Sequence, residues 1–338
     1  MGCFSFNNCL KPAQNNGNVG ASPSGGKLLT WPSKKAQLSM SDPRLRKTHV
    51  NGVELAYFER NQPQPGEPTL LLVHATGFHG RIWDRVLEPF GDRHSIALEQ
   101  RGHGRSEKRK IEHWRVVGED VAAFVETLEL SNLIGIGHSM GAHALVDAAA
   151  ATGAFARLLL LDPTIPDPEA FANPSLELDL PDGMHPAARR YNAFTSVDDM
   201  MERLAPKSAF PLYDPQTFRD YCEHGLVASA NGGMTLACPP EIEASVYMAS
   251  RSNAAIFDSV AKVDVPVLVV RAKAPEAERG IMDFASSPTW PGLAACFPQG
   301  RELHWPHVTH FIPMQAPDAV IELMAQEIEA WRRDRTDA

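Results

Sequence analysis

The stretch LIGIGHSMGAH, Leu133 to His143, decides the fold: an apolar run stops at Gly137, a lone Ser139 follows, and Gly141 stands two residues further on. Leu133 to Ile136 reads as a short buried strand. The alanine-rich AHALVDAAAATG reads as a helix, with Gly153 as its stop. A turn tight enough to join them at one residue leaves no room for side chains two positions before or after its apex. Glycine meets that need, and the apex residue is held in a strained backbone conformation with its side chain projecting outward. Gly137-His138-Ser139-Met140-Gly141 therefore fits G-x-S-x-G, a turn that presents a nucleophilic serine. The five-residue pattern alone recurs by accident; the strand before it and the helix after it are the context it requires.

Outward from this turn the chain alternates. HVNGVELAYFER predicts a hairpin turning at Asn51-Gly52. TLLLVHA from Thr69, HSIAL, LLLLD from Leu158, VPVLVVRA from Val265 and RELHWP from Arg301 read as further strands. RIWDRVLEPF reads as a short amphipathic helix. Trp114, Val117, Val121, Phe124, Val125 and Leu128 share one helix face, as do Val320, Ile321, Met324, Ile328 and Trp331 near the end. Apolar strands alternating with helices imply a mostly parallel sheet with helices on both faces. Residues 163–263 break the rhythm with many prolines and helix-like pieces (VDDMMERLA, QTFRDYCEHGL, EIEASVYMAS). They read as a helical cap inserted after the strand ending at Leu161, over the carboxyl edge of the sheet where open α/β sheets bind ligands. The core is then 45–162 and 264–338.

Composition narrows the class. A hydrophobic content of 43% and a charged content of 22% are ordinary for a soluble globular chain of 338 residues. A formal net charge of -9 argues against a nucleic-acid partner, since no basic surplus is available to neutralise phosphates. No run is long enough for stable membrane insertion. Cys3, Cys9, Cys222, Cys238 and Cys296 make neither a disulfide nor a zinc pattern, which points to reduced thiols in the cytoplasm. Residues 1–44, rich in Asn, Gly, Ser and Pro, read as a disordered tail. Gly2 and Cys3 suggest lipidation, but Phe6 stands where the myristoylation pattern wants Ser or Thr, so an unmodified tail is the simpler reading.

A serine needs a base within hydrogen-bond reach. An elbow of this kind orders its partners as Ser, then acid, then His. His304, His307 and His310 follow the last strand; His310 is preferred because THFIPMQAPDAV leads from it into the final helix, with His307 as the alternative. An oxyanion needs two amide donors: Met140 after the serine, and one from the loop after the TLLLV strand, read as Phe78 with Gly77 shaping the loop. His74 reads as a brace for that loop.

VHATGFHG, QRGHGRS, GHSMG and THFIPM, in this order and spacing, resemble the α/β-hydrolase superfamily, in its capped group of esterases, lactonases, C–C hydrolases, epoxide hydrolases and dehalogenases. The resemblance covers about residues 45 to 335 apart from the cap. It implies an α/β-hydrolase sheet, Ser139 as nucleophile, His310 as base, and Phe78 and Met140 as oxyanion donors. Serine at the elbow argues against an epoxide hydrolase or a dehalogenase, which need a carboxylate nucleophile. Tyr191, Tyr213, Tyr221 and Tyr247 in the cap read as packing aromatics.

One feature departs from the superfamily. Its acid usually stands a few residues beyond the VPVLVVRA strand, where this chain reads RAKAPEAERGIMDF with Pro275 near the expected place. Glu276, Glu278 and Asp283 are nearby substitutes. The other position the resemblance allows is directly after the preceding strand, where Asp162 ends LLLLDP; that rigid place favours Asp162. The resemblance implies a serine hydrolase that cleaves a carboxylic ester or lactone through an acyl-enzyme, with no cofactor and no metal. An enclosed apolar pocket beneath the cap would suit a small apolar ester or lactone. A C–C bond hydrolase with the same triad, or a non-catalytic receptor on the same fold, are the alternatives.

Overall fold

The computed structural model describes residues 42–172, 180, 183–230, 232–276 and 283–336. The readings made for the first 41 residues, including the tail, Cys3, Cys9 and the Gly2/Cys3 lipidation question, lie outside the described residues, as does Glu278.

Among the described residues ten strands run in chain order: β1 (Arg44–Val50), β2 (Val53–Arg60), β3 (Thr69–Val73), β4 (Ser95–Glu99), β5 (Leu133–His138), β6 (Phe155–Leu161), β7 (Leu226–Ala228), β8 (Met234–Leu236), β9 (Val267–Arg271) and β10 (Gly300–His304). Eight of them form one sheet in the order β1-β2-β4-β3-β5-β6-β9-β10. The β1–β2 and β2–β4 pairs are antiparallel, and every pair from β4 to β10 is parallel. The first hairpin turns at Asn51 (φ 45°) and Gly52 (φ 71°). Positive φ at both central positions gives the primed turn whose twist matches the flanking strands.

Buried runs explain the parallel part. Every residue of β3, β4, β5 and β9 is buried, as strands covered on both faces must be. On one face the helices Arg115–Thr127, Met140–Thr152 and Ile256–Lys262 complete an apolar layer through Val121, Leu145 and Val260. On the other, the helix Pro317–Thr336 closes a second layer with Val320, Met324 and Trp331.

Register places the functional loops. Val73 lies opposite Gly137, His138 opposite Leu161, Leu161 opposite Val270 and Arg271 opposite His304. β3, β5, β6, β9 and β10 therefore end along one line, and the loops that carry Thr76, Ser139, Asp162, Ser287 and His310 leave from the same edge. Between β6 and β9 the chain forms the helices Pro168–Ala172, Val197–Leu204, Pro215–His224 and Pro240–Met248. It also forms the antiparallel pair β7–β8, absent from the sequence reading because three-residue strands carry no usable alternation.

Buried neutral histidines brace the carboxyl edge. His74 Nδ1–H donates to the Ala75 carbonyl (2.7 Å), and its Nε2 accepts from the Gln100 amide (3.2 Å). His103 Nδ1–H donates to the Arg101 carbonyl (2.9 Å). Burial pushes His103 down to about 4, whereas an unfolded histidine titrates near 6.5. Between those values the unfolded chain binds the extra proton, so this contribution to stability is lost as pH falls. Relative to the wild type, His103→Gln should therefore gain about 2 kcal/mol between pH 7.5 and pH 5. Urea unfolding of both proteins at the two pH values checks this, and a pH-independent difference would refute it.

Candidate active site

The elbow has the geometry the glycines imply. Ser139 sits at φ 56°, ψ -117°, between β5 and the helix Met140–Thr152. A Cβ on Gly137 would lie 2.5 Å from the Ala142 Cα, and one on Gly141 would lie 2.2 Å from the Val73 carbonyl oxygen. Neither position tolerates a larger residue, so the turn can close on Ser139 only with glycine on both sides. The Ser139 N–H donates to the Leu161 carbonyl (3.0 Å), which ties the apex to the end of β6.

The Ser139 hydroxyl lies 3.0 Å from His310 Nε2 and 3.0 Å from the Thr164 hydroxyl. His310 Nδ1–H donates to Asp162 Oδ2 at 2.7 Å. The His310 backbone is fixed from two sides: its N–H donates to the Ala285 carbonyl (2.8 Å), and its carbonyl accepts from His138 Nε2 (2.8 Å). Burial, and next the neighbouring His310, push His138 down to about 3, so it stays a neutral donor.

Asp162 is fully buried, immediately beyond β6, with φ 46°. Its Oδ1 accepts from the Ala272 N–H (3.0 Å) and the Ser287 hydroxyl (2.6 Å), and the Thr289 hydroxyl lies 3.0 Å away. Burial pushes this carboxyl up, but the His310 hydrogen bond and charge, with the Ser287 and Ala272 donors, outweigh it and hold the group below its ordinary value. The segment after β9, which carries the alternative carboxylates, supplies donors that hold Asp162. Asp283 is engaged locally, accepting from the Ala285 and Ser286 amides (both 3.0 Å). Glu276 pairs with Lys273 (2.7 Å) at the exposed surface. His307 is exposed and apart from this cluster.

The loop after β3 closes on the amide that was expected to be open. Gly77 has φ 80°, and the Phe78 N–H donates to the Ala75 carbonyl (3.2 Å), closing a turn of the type that needs a positive φ at its third residue. The Phe78 amide is thus occupied, and its ring lines the cavity. Among the described residues the Thr76 and Met140 amides have no hydrogen-bond acceptor. The Thr76 hydroxyl approaches the Met140 sulfur at 3.6 Å, which places this loop beside the start of the elbow helix. No sequence signal distinguished the Thr76 amide from that of Phe78, because both follow from where the turn hydrogen bond falls.

Ser139, His310, Thr76 and Thr164 open onto a cavity of about 1560 Å³. Its wall carries rings (Phe78, Phe210, Phe311) and polar side chains (Arg190, Tyr213, Tyr247). Among the described residues no cluster of His, Cys, Asp and Glu could hold a metal ion, and no helix is long and apolar enough to cross a membrane.

A strained serine between a parallel strand and a helix, with an imidazole and a buried carboxylate in line behind it, defines a hydrolase. The alpha/beta hydrolase family model matches residues 70–323, and the chain belongs to that family. It is 23% identical over 265 residues to 2-(acetamidomethylene)succinate hydrolase of Mesorhizobium japonicum, covering 78% of this chain and 88% of that one. A crystal structure of E-2-(acetamidomethylene)succinate hydrolase superimposes with a TM-score of 0.66 at 20% identity, over 85% of this chain and 99% of that one. The enol-lactonase of Burkholderia xenovorans does so with a TM-score of 0.57 at 21% identity, over 83% and 98%.

Proposed function

We propose that the protein is a serine hydrolase that cleaves a carboxylic ester or lactone through an acyl-enzyme, with Ser139, His310 and Asp162 as its catalytic residues. The observation that carries this reading is the continuous line from Asp162 Oδ2 through His310 to the Ser139 hydroxyl, at 2.7 Å and 3.0 Å. His310 Nε2 takes the hydroxyl proton as Ser139 Oγ attacks the carbonyl carbon, and returns it to the leaving alkoxide when the carbon–oxygen bond breaks. A water then gives a proton to the same nitrogen and attacks the acyl carbon; as the bond to Ser139 Oγ breaks and the acid leaves, His310 returns that proton to Oγ. Asp162 keeps the Nδ1 proton in place and stabilises the imidazolium formed in each step.

The oxyanion is held by the Met140 amide, as the sequence suggested, and by the Thr76 amide in place of that of Phe78. Proline at Thr76 tests this without breaking the loop. Thr76 is the second residue of a turn that accepts proline there, so Thr76→Pro deletes the N–H and keeps the backbone. It should lower kcat by about 10²–10³, the loss of one oxyanion donor. A variant with intact circular dichroism and unchanged kcat would return the role to another amide.

The name of the Mesorhizobium relative, a hydrolase of a succinate derivative, and the enol-lactonase neighbour support acyl transfer chemistry on a small organic acid derivative. A cytoplasmic place of action is supported by the buried thiols Cys222 and Cys238, neither in a disulfide. Nitrophenyl esters and small lactones test the whole reading. Expected is a burst of nitrophenolate equal to the enzyme present, followed by steady turnover. Tight binding with no turnover would favour a receptor on this fold.

A further inference from the structure

The tyrosines that read as packing aromatics also border open space. Tyr213, Tyr221 and Tyr247 all line the cavity that holds Ser139. Tyr213 and Tyr221 are buried, at 8% and 4% exposure. Arg190 stands among them: its Nη2 donates to the Tyr221 hydroxyl (3.0 Å) and its Nη1 to Glu243 Oε2 (2.5 Å). Tyr213 and Tyr247 are near enough to Arg190 and Tyr221 to interact electrostatically with both. Among the described residues none of these three hydroxyl protons has an acceptor. Purely structural tyrosines in a buried place find a partner for the hydroxyl. Here the donors face open cavity.

The cluster lies close to the reacting serine. A Cβ on Gly77 would be 3.5 Å from Arg190 Nη1 and 3.0 Å from Glu243 Oε1, so the ion pair packs directly on the Thr76–Phe78 loop. From the other side, the Tyr213 and Phe311 rings are 5.5 Å apart, and Phe311 lies 5.8 Å from the His310 ring.

We propose that Arg190 and the hydroxyls of Tyr213, Tyr221 and Tyr247 form a subsite for a carboxylate on the substrate, so that the enzyme prefers anionic acyl derivatives over apolar ones. This rests on the serine-hydrolase reading above and names its substrate class. The charge count selects a carboxylate. Glu243 already balances Arg190, so the cluster offers hydrogen-bond donors around a neutralised cation, enough for a monoanion and too little for a phosphate dianion. Burial keeps all three phenols above their ordinary value, hence protonated and able to donate near neutral pH. The planar guanidinium fork suits a carboxylate better than a point charge would.

The test compares two esters of one shape and different charge: mono-4-nitrophenyl succinate, and 4-nitrophenyl 4-methylpentanoate, whose isopropyl group replaces the carboxylate. The wild type should prefer the anionic ester in kcat/KM by at least about tenfold, the contribution of a charge-assisted hydrogen bond. Arg190→Gln should bring that ratio close to one, and Arg190→Lys should restore part of it. Because Arg190→Gln strands the Glu243 carboxylate, the double change Arg190→Gln/Glu243→Gln provides a neutral version if the single variant misfolds. Tyr213→Phe and Tyr247→Phe remove only a hydroxyl, and each should lower the ratio severalfold. A wild-type ratio near one, or a ratio that survives all the variants, overturns the subsite and leaves the hydrolase reading intact. No turnover of either ester overturns the hydrolase reading itself.

Discussion

Replacing Ser139 with alanine should lower kcat for a nitrophenyl ester by about 10⁶ if the triad acts as a unit. In the proposed mechanism the oxygen removed is the one that attacks the carbonyl, and no other hydroxyl stands in its place. The Thr164 hydroxyl is 3.0 Å from it, but it is Ser139 Oγ that lies 3.0 Å from His310 Nε2. The fold should survive, because the elbow is held by backbone hydrogen bonds and by Gly137 and Gly141 rather than by the serine side chain. His310→Ala should match the loss, since residues that work as a unit fail together. His307→Ala, at an exposed position, should have little effect. Turnover above a few per cent of wild type in a purified Ser139→Ala protein, free of contaminating esterase, would remove Ser139 from the mechanism.

The parts legible in the sequence share a physical origin. Gly137 and Gly141 announce the elbow because backbone there approaches Ala142 and Val73 too closely for any Cβ, so the requirement is strict and local. Apolar runs such as Leu70–Leu72 and Val267–Val270 announce buried parallel strands, because a strand covered on both faces has no polar side. His310 was found by chain order, which the fold imposes on its loops. Strand register and turn closure were not legible. Which amide of the Ala75–Phe78 loop is left open depends on a single hydrogen bond to the Ala75 carbonyl, and Gly77 announces a turn without saying which N–H it uses. Likewise nothing in the sequence of Ser286 to Trp290 announces that Ser287 and Thr289 reach Asp162 across more than 120 positions of chain. Arg190 carried no sequence signal, since an arginine in a stretch without apolar periodicity resembles a solvated one until Glu243 and Tyr221 are seen against it.

The carboxylate behind His310 gives the second large effect. Asp162→Asn should lower kcat by up to about 10⁴ while leaving KM nearly unchanged, because in the proposed mechanism the carboxylate orients the imidazole and stabilises its charged form without touching substrate. The geometry says how. In the variant the amide oxygen would keep the place of Oδ1, where the Ala272 amide and the Ser287 hydroxyl both need an acceptor. The amide nitrogen would then take the place of Oδ2 and present hydrogens to His310 Nδ1. The imidazole must answer with the other tautomer, its proton on Nε2 facing Ser139, where it cannot accept the hydroxyl proton. The side chain remains the same size, so packing around it should hold and thermal unfolding should shift little. Asp283→Asn and Glu276→Gln are the controls. Their partners are Ser286 and Lys273 rather than His310, so each should stay within about tenfold of wild type, as groups outside the triad do. A steep loss at Asp283 with none at Asp162 would mean that the loop after β9 refolds to bring its own carboxylate to His310. The donors gathered on Asp162, and the direction in which they hold its charge, weigh against that: they keep this buried carboxylate ionised, in contact with the ring that carries the proton in the proposed mechanism.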